Sequence, residues 1–184
     1  MNTFLVLAFL FFVGSTLGWI MELIFRNIVH KTNHIINPGF CTGPYLPIYG
    51  FGLCLLTLIY YLFNKYNLPA YLSIITMTIS MVLIELIGGL MFINTPKKLW
   101  DYSNEWGNYK GVICPLYSLI WALVSVLYYF LLGDKILKII NYITIHNNPL
   151  IYILLLCFYI MIFVDVIRSF KHLKALCKEI KLNL

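Results

Sequence analysis

Five stretches of this 184-residue chain are apolar and long enough to cross a lipid bilayer, and that count limits the fold more than any motif does. A helix needs about 20 apolar residues to span the hydrocarbon layer. The stretches fall at about residues 4–25, 45–63, 71–93, 112–132 and 150–167. Backbone groups in hydrocarbon must be satisfied within the protein, so the expected fold is all-α, a polytopic transmembrane helix bundle of about five spans. Composition agrees, because 61% hydrophobic against 11% charged side chains leaves too little polar surface for a particle in water. The whole of 1–184 then forms a single integral membrane domain, with membrane lipid as its first partner.

The formal charge of +6 would suggest nucleic acid in a soluble protein, but here basic residues serve as anchors, and no nucleic-acid partner is expected. Counted with the N-terminus outside, ten Lys and Arg face the cytoplasm: Arg26, Lys31, Lys97, Lys98, Lys110, Arg168, Lys171, Lys174, Lys178 and Lys181. Only Lys65, Lys135 and Lys138 face the other way. The positive-inside rule therefore places the N-terminus outside and the C-terminus in the cytoplasm of a bacterial cell membrane. Residues 168–184 read as a basic amphipathic cytoplasmic tail that follows the inner membrane surface. No cleaved signal segment is expected, because the first span is too long and lacks a basic start. Within the connection 133–149, residues 135–142 could be a short interfacial helix or the outer end of a longer one. Five cysteines without paired spacing, and His30 and His34 without a third ligand, give no metal site and no cofactor.

Two halves of the chain echo one another. Gly43-Pro44-Tyr45-Leu46-Pro47-Ile48-Tyr49 opens the second span, and Gly111-Val112-Ile113-Cys114-Pro115-Leu116-Tyr117 opens the fourth, 68 positions later. The preceding spans carry single acids, Glu22 and Glu85. A duplication of this kind would give a parallel two-helix repeat.

Buried polar groups are the candidates for function. An acid at mid-bilayer costs about 2.5–3.5 kcal/mol on insertion scales and needs a partner or a cavity. Glu22 has Arg26 one turn on, within ion-pair reach. Glu85 has no basic residue in its own span, so Arg26 is its expected partner, with Glu22 and the folded inner loops as neighbours. Gly88-Gly89 beside it would let another segment approach closely, as would Gly14 and Gly18 in the first span. The first loop is dense in turn formers from Asn37 to Pro44, and it could re-enter the membrane. The third loop carries Trp100-Asp101-Tyr102-Ser103 and then Asn108. Its aromatics could form an interfacial belt, or Asp101, Tyr102 and Asn108 could fold inward over the two acids. Asp165 and Arg168 are expected to pair along the last span.

Walker, HExxH, GxSxG and dinucleotide patterns are all missing from the sequence, so ATP-driven work would need a separate ATPase subunit. The combination Gly18-Trp19-x-x-Glu22, Asn37-Pro38-Gly39-Phe40, Gly43-Pro44-x-x-Pro47-Ile48-Tyr49-Gly50-x-Gly52, Trp100-Asp101-Tyr102-Ser103 and Asn108 to Gly111 resembles the bacterial family called putative ABC-transporter type IV, or CmpB-like. The likeness covers roughly residues 5–130. It implies a multi-spanning permease-like protein and carries over Trp19, Glu22, Asn37, Gly39, Pro44, Pro47, Tyr49, Gly50, Trp100, Asp101 and Tyr102, with Glu85 as the acid before the Trp-Asp-Tyr stretch. Pro38 stands where that family commonly has arginine. Three functions follow as expectations. One is a transport component with an intramembrane polar site facing the cytoplasm. The second is a scaffold or regulatory subunit, and self-association into a homo-oligomer would fit a protein this small. The third is an intramembrane enzyme on a lipid-linked substrate, with Glu22, Glu85, Asp101, Tyr102 and His34 as acid–base groups.

Overall fold

A computed structural model describes residues 3–30, 39–146 and 148–182. The chain runs through α1 (Thr3–His30), α2 (Pro47–Lys65), α3 (Ala70–Phe92), α4 (Pro115–Leu127), a π-helical turn (Tyr128–Leu132), α5 (Gly133–His146) and α6 (Pro149–Leu182). Five helical runs are long and apolar enough to span a membrane: Thr3–Ile28, Pro47–Lys65, Ala70–Phe92, Pro115–His146 and Pro149–Glu179. The all-α bundle of five spans expected from hydropathy is the fold observed. Large apolar side chains such as Phe4, Leu17, Ile87, Leu119 and Phe163 point away from the protein, as lipid contact requires.

Proline marks the helix starts. Pro47 and Pro115 occupy the first turn of α2 and α4, where a missing amide costs nothing, and Pro69 caps α3. The helices then pack through their glycines. A Cβ on Gly18 would sit 2.3 Å from the Tyr49 side chain, and one on Gly14 would sit 2.8 Å from the Tyr49 carbonyl, so α1 and α2 approach backbone to ring. A Cβ on Gly89 would meet Val112 at 2.2 Å, which brings the third loop down onto α3.

Two apolar clusters hold the bundle. One joins α2, α3 and the π-helical turn through Leu56, Ile59, Tyr60, Met77, Met81 and Tyr128. The other ties α6 to the first loop through Cys41, Tyr45 and Phe158. Phe12 of α1 meets Phe158 edge-on at 4.7 Å, and the Tyr159 hydroxyl donates to the Ala8 carbonyl at 3.0 Å.

The described part of the first loop runs inward along α1. The Leu46 amide donates to the Ser15 carbonyl at 2.9 Å. Ser15 lies midway along α1, so the chain descends about 20 Å from the level of His30 before α2 begins. The descending stretch carries two of the groups that later fill the polar sites, Tyr45 and the Pro47–Tyr49 turn.

The structure differs from the sequence reading in the fourth connection. Residues 133–149 are not a mixed connection: the fourth span continues unbroken through the π-helical turn into α5, which selects the longer-helix reading of 135–142. Ile136 and Leu137 pack on the first apolar cluster, and that contact holds the extension helical. The basic tail continues the last span without a break, because α6 runs as 34 residues, about 51 Å, from Pro149 to Leu182.

Gly18 supplies a direct test of this packing. Gly18→Val should lower the unfolding free energy in detergent by about 1–3 kcal/mol through its collision with Tyr49. Leu17→Ala, on the lipid side, should change it by less than about 0.5 kcal/mol. Thermal melts of both variants followed by tryptophan fluorescence would check the pair.

Candidate functional site

Two acids, one on α1 and one on α3, face a shared aromatic cluster. Glu22 on α1 accepts from Arg26 Nε at 2.8 Å and from the Tyr49 hydroxyl of α2 at 2.7 Å. Glu85 on α3 is buried, with only 4% of its surface exposed. It accepts from the Tyr102 hydroxyl at 2.9 Å and from the Trp121 indole N–H at 3.0 Å. The Tyr49 and Trp121 rings lie 6.3 Å apart and bridge the two acids. Tyr102 in turn stacks on Tyr117 at 4.1 Å, nearly parallel.

Arg26 is therefore not the partner of Glu85. Its second contact, at 3.2 Å, goes to the Leu99 carbonyl in the third loop. Among the described residues no cation lies within ion-pair distance of Glu85. Each hydrogen bond to a charged group contributes about 1.5–3 kcal/mol, so the two donors together offset the cost of burying the carboxylate.

Of the three third-loop residues expected to fold inward, Tyr102 alone reaches an acid. Tyr102 reaches Glu85, and burial together with the nearby Glu85 carboxylate pushes its hydroxyl above the ordinary tyrosine range, so it remains a donor. Asp101 and Asn108, expected to turn inward with it, instead build the loop. Asp101 binds Lys98 at 2.6 Å and accepts from the Ser103 amide at 3.0 Å and from the Ser103 hydroxyl. Asn108 donates to the Ser103 and Glu105 carbonyls and accepts from the Gly111 amide at 2.9 Å. Gly111 holds a φ of +68°, and a side chain there would also strike Asp101 and Ser103. Trp100 pins the loop by donating to the Val112 carbonyl at 2.8 Å, whereas Trp106 is exposed in the manner of an interfacial residue.

The remaining candidates spread around this centre. Trp19 is half-buried on α1, one turn before Glu22. Pro44 is exposed in the first loop, and Pro47 sets the first turn of α2 so that Tyr49 faces Glu22. Asn37 lies outside the described residues, as do Lys31, His34 and Pro38.

Sequence reasoning passed over a second polar centre. Asp165 was expected to pair with Arg168 at the membrane edge. Arg168 is exposed and makes no ion pair with it, while Asp165 is 7% exposed. It accepts from the Thr42 and Gly43 amides at 3.0 and 2.9 Å, from the Thr42 hydroxyl at 2.6 Å and from the Tyr45 hydroxyl at 2.5 Å. The cause is the inward run of the first loop, which brings four donors to Asp165. Trp121 and Tyr117 were also missed. They lie four apart on α4, and the repeat that matches Tyr117 with Tyr49 was a further signal.

Two expectations follow. Asp165→Ala leaves buried donors unpaired and should cost about 2–4 kcal/mol, with faster hydrogen exchange at Thr42 and Gly43 read by mass spectrometry. The Lys98 and Ser103 hydrogen bonds hold the Asp101 carboxyl down to about 2 from an ordinary 3.8. A depressed acid contributes its stability above 3.8 and loses it as pH falls through the lower value. Carbon NMR of the Asp101 carboxyl should therefore show a midpoint near 2 at low salt, rising toward 3.8 in high salt because the group is fully exposed.

Comparison with curated proteins and with solved structures finds no match to this chain. A family model does match, and it covers residues 9–170, which takes in both acids, the first loop, the third loop and Asp165. The chain belongs to the family described as "Putative ABC-transporter type IV".

Proposed function

We propose that this protein is a permease-like transport component whose solute is a small cation, received at Glu85 from the end of the bundle that carries the third loop. One observation supports this reading above the others: Glu85 is a buried acid held by two neutral donors, with no cation beside it among the described residues. Ionisable side chains inside spans commonly mark ion or proton paths, and Glu85, unlike Glu22, has no basic side chain bound to it among the described residues.

Tyr102 acts as the gate in this reading. It is the loop's only hydrogen bond to the acid among the described residues, and the loop around it is held by its own contacts with Lys98, Ser103 and Asn108. Withdrawal of the loop would uncover Glu85 without unfolding α3. Glu22, with Arg26 bound, would hold the α1 side of the site in place through Tyr49. The bias of Lys and Arg places this end in the cytoplasm of a bacterial cell. The family name ties the chain to ABC transport, and a chain without a Walker sequence would take ATP hydrolysis from a separate subunit.

Purified protein in liposomes should take up at least one of labelled sodium, labelled rubidium or protons down an imposed gradient. Glu85→Gln should reduce that uptake to the level of empty liposomes, and Glu179→Gln on the far end of α6 should leave it unchanged. Folded wild-type protein that moves none of the three, or Glu85→Gln moving them at the wild-type rate, would rule the reading out in favour of a scaffold.

A further inference from the structure

We infer that the cleft between the third loop and the end of α3 seats the phosphate of an anionic diacyl phospholipid, with Lys110 and Lys98 as its cations. The site is independent of the transport reading. Phe92, Ile93, Lys98, Trp100, Asp101 and Lys110 line the cleft. It opens where the third span ends, at Phe92, and a span's end is the depth of a phospholipid headgroup. On the bias of Lys and Arg it faces the cytoplasmic leaflet, where anionic lipids set a negative surface potential.

The backbone at Lys110 is the first observation. The Val112 amide donates to the Tyr109 carbonyl at 3.0 Å, and Lys110 and Gly111 between them hold φ of +55° and +68°. Two positive values in succession make a type I′ turn, which favours Asn or Gly at its first central position. A lysine there brings its Cβ too close to the following carbonyl oxygen, a strain that asparagine tolerates better. The turn thus gives up stability to hold an ammonium group at the cleft. Strained residues of this kind cluster at ligand sites. Among the described residues no carboxylate pairs with the Lys110 ammonium, which lies 5.4 Å from the centre of the exposed Tyr109 ring.

Charge and shape select the ligand. Lys98 and Lys110 outweigh Asp101, whose oxygens are already taken by Lys98 and by Ser103. The carbonyl end of α3 would repel an anion, but the Phe92 carbonyl already accepts from the Thr95 amide and hydroxyl at 3.0 and 2.9 Å. The enclosed space is about 20 Å³, enough for one oxygen-sized group. A whole solute does not fit there, whereas a headgroup can seat one phosphate oxygen and leave its bulk outside. The acyl chains then lie along α3, where Ile87 and Met91, one turn apart, are 59% and 64% exposed.

The test is native mass spectrometry of the detergent-purified protein, titrated with dioleoylphosphatidylglycerol or dioleoylphosphatidylcholine, with melting temperatures in parallel. Wild-type protein should bind phosphatidylglycerol about tenfold more tightly. Lys110→Asn should cut that preference about fivefold, the weight of one lysine at an anionic surface. Without lipid, the same variant should melt about 2–4 °C higher, because the turn is relieved of strain. Lys110→Arg keeps both the charge and the strain, and should keep both wild-type values. Lys178→Asn removes a lysine from the tail and should leave the preference as it is. A Lys110→Asn protein with undiminished preference, or one that melts below wild type or fails to fold, would overturn the site. An equal loss in Lys178→Asn would also overturn it, in favour of general anchoring. Inorganic phosphate that displaces phosphatidylglycerol at millimolar concentration would overturn the lipid in favour of a free anion.

Discussion

A carboxylate in hydrocarbon must be given donors, and at Glu85 that requirement shapes the surrounding chain. The donors come from two different places, the Tyr102 hydroxyl of the third loop and the Trp121 indole of α4. To bring Tyr102 within reach, the loop must descend along α3. The descent needs Gly89 bare against Val112 and a left-handed Gly111 at the loop's return. Trp100, Asp101 and Asn108 then keep the loop in that shape. Residues that look like separate features in the sequence answer to one acid.

The same logic repeats around Asp165, with the first loop in place of the third. Here the donors are two backbone amides and two hydroxyls. Backbone amides cannot be supplied by a regular helix, whose groups are already paired, so irregular chain has to enter the bundle. The glycines and prolines between Gly39 and Pro47 make that entry affordable in conformational terms. Both loops thus run inward for a shared reason, and both deliver a helix whose first turn begins with proline.

Hydropathy alone made the number and rough position of the spans legible, because lipid imposes one dominant rule on segment length. Glu22 with Arg26 was legible too, since a pair one turn apart in a single helix depends on nothing distant. The partners of Glu85 were open to misreading for the opposite reason. Arg26 offered the strongest charge, but Glu22 on its own helix already holds it, and neutral donors from 17 and 36 residues further along bind Glu85 instead. Asp165 was assigned to a neighbour three residues away because its true donors lie more than 100 residues earlier. Long-range contacts of this type leave no periodic trace in a single sequence.

The π-helical turn has a geometric effect that reaches beyond its five residues. An α-helix advances about 100° per residue, so one residue accommodated in a wide turn resets the rotational phase of all that follows. With an ordinary α-helical turn there, α5 would emerge rotated by nearly a third of a circle. Gly133 would no longer present its bare side to the Tyr60 ring, and Asp134 would swing away from the Tyr60 hydroxyl. The wide turn is what aligns the second half of the fourth span with α2.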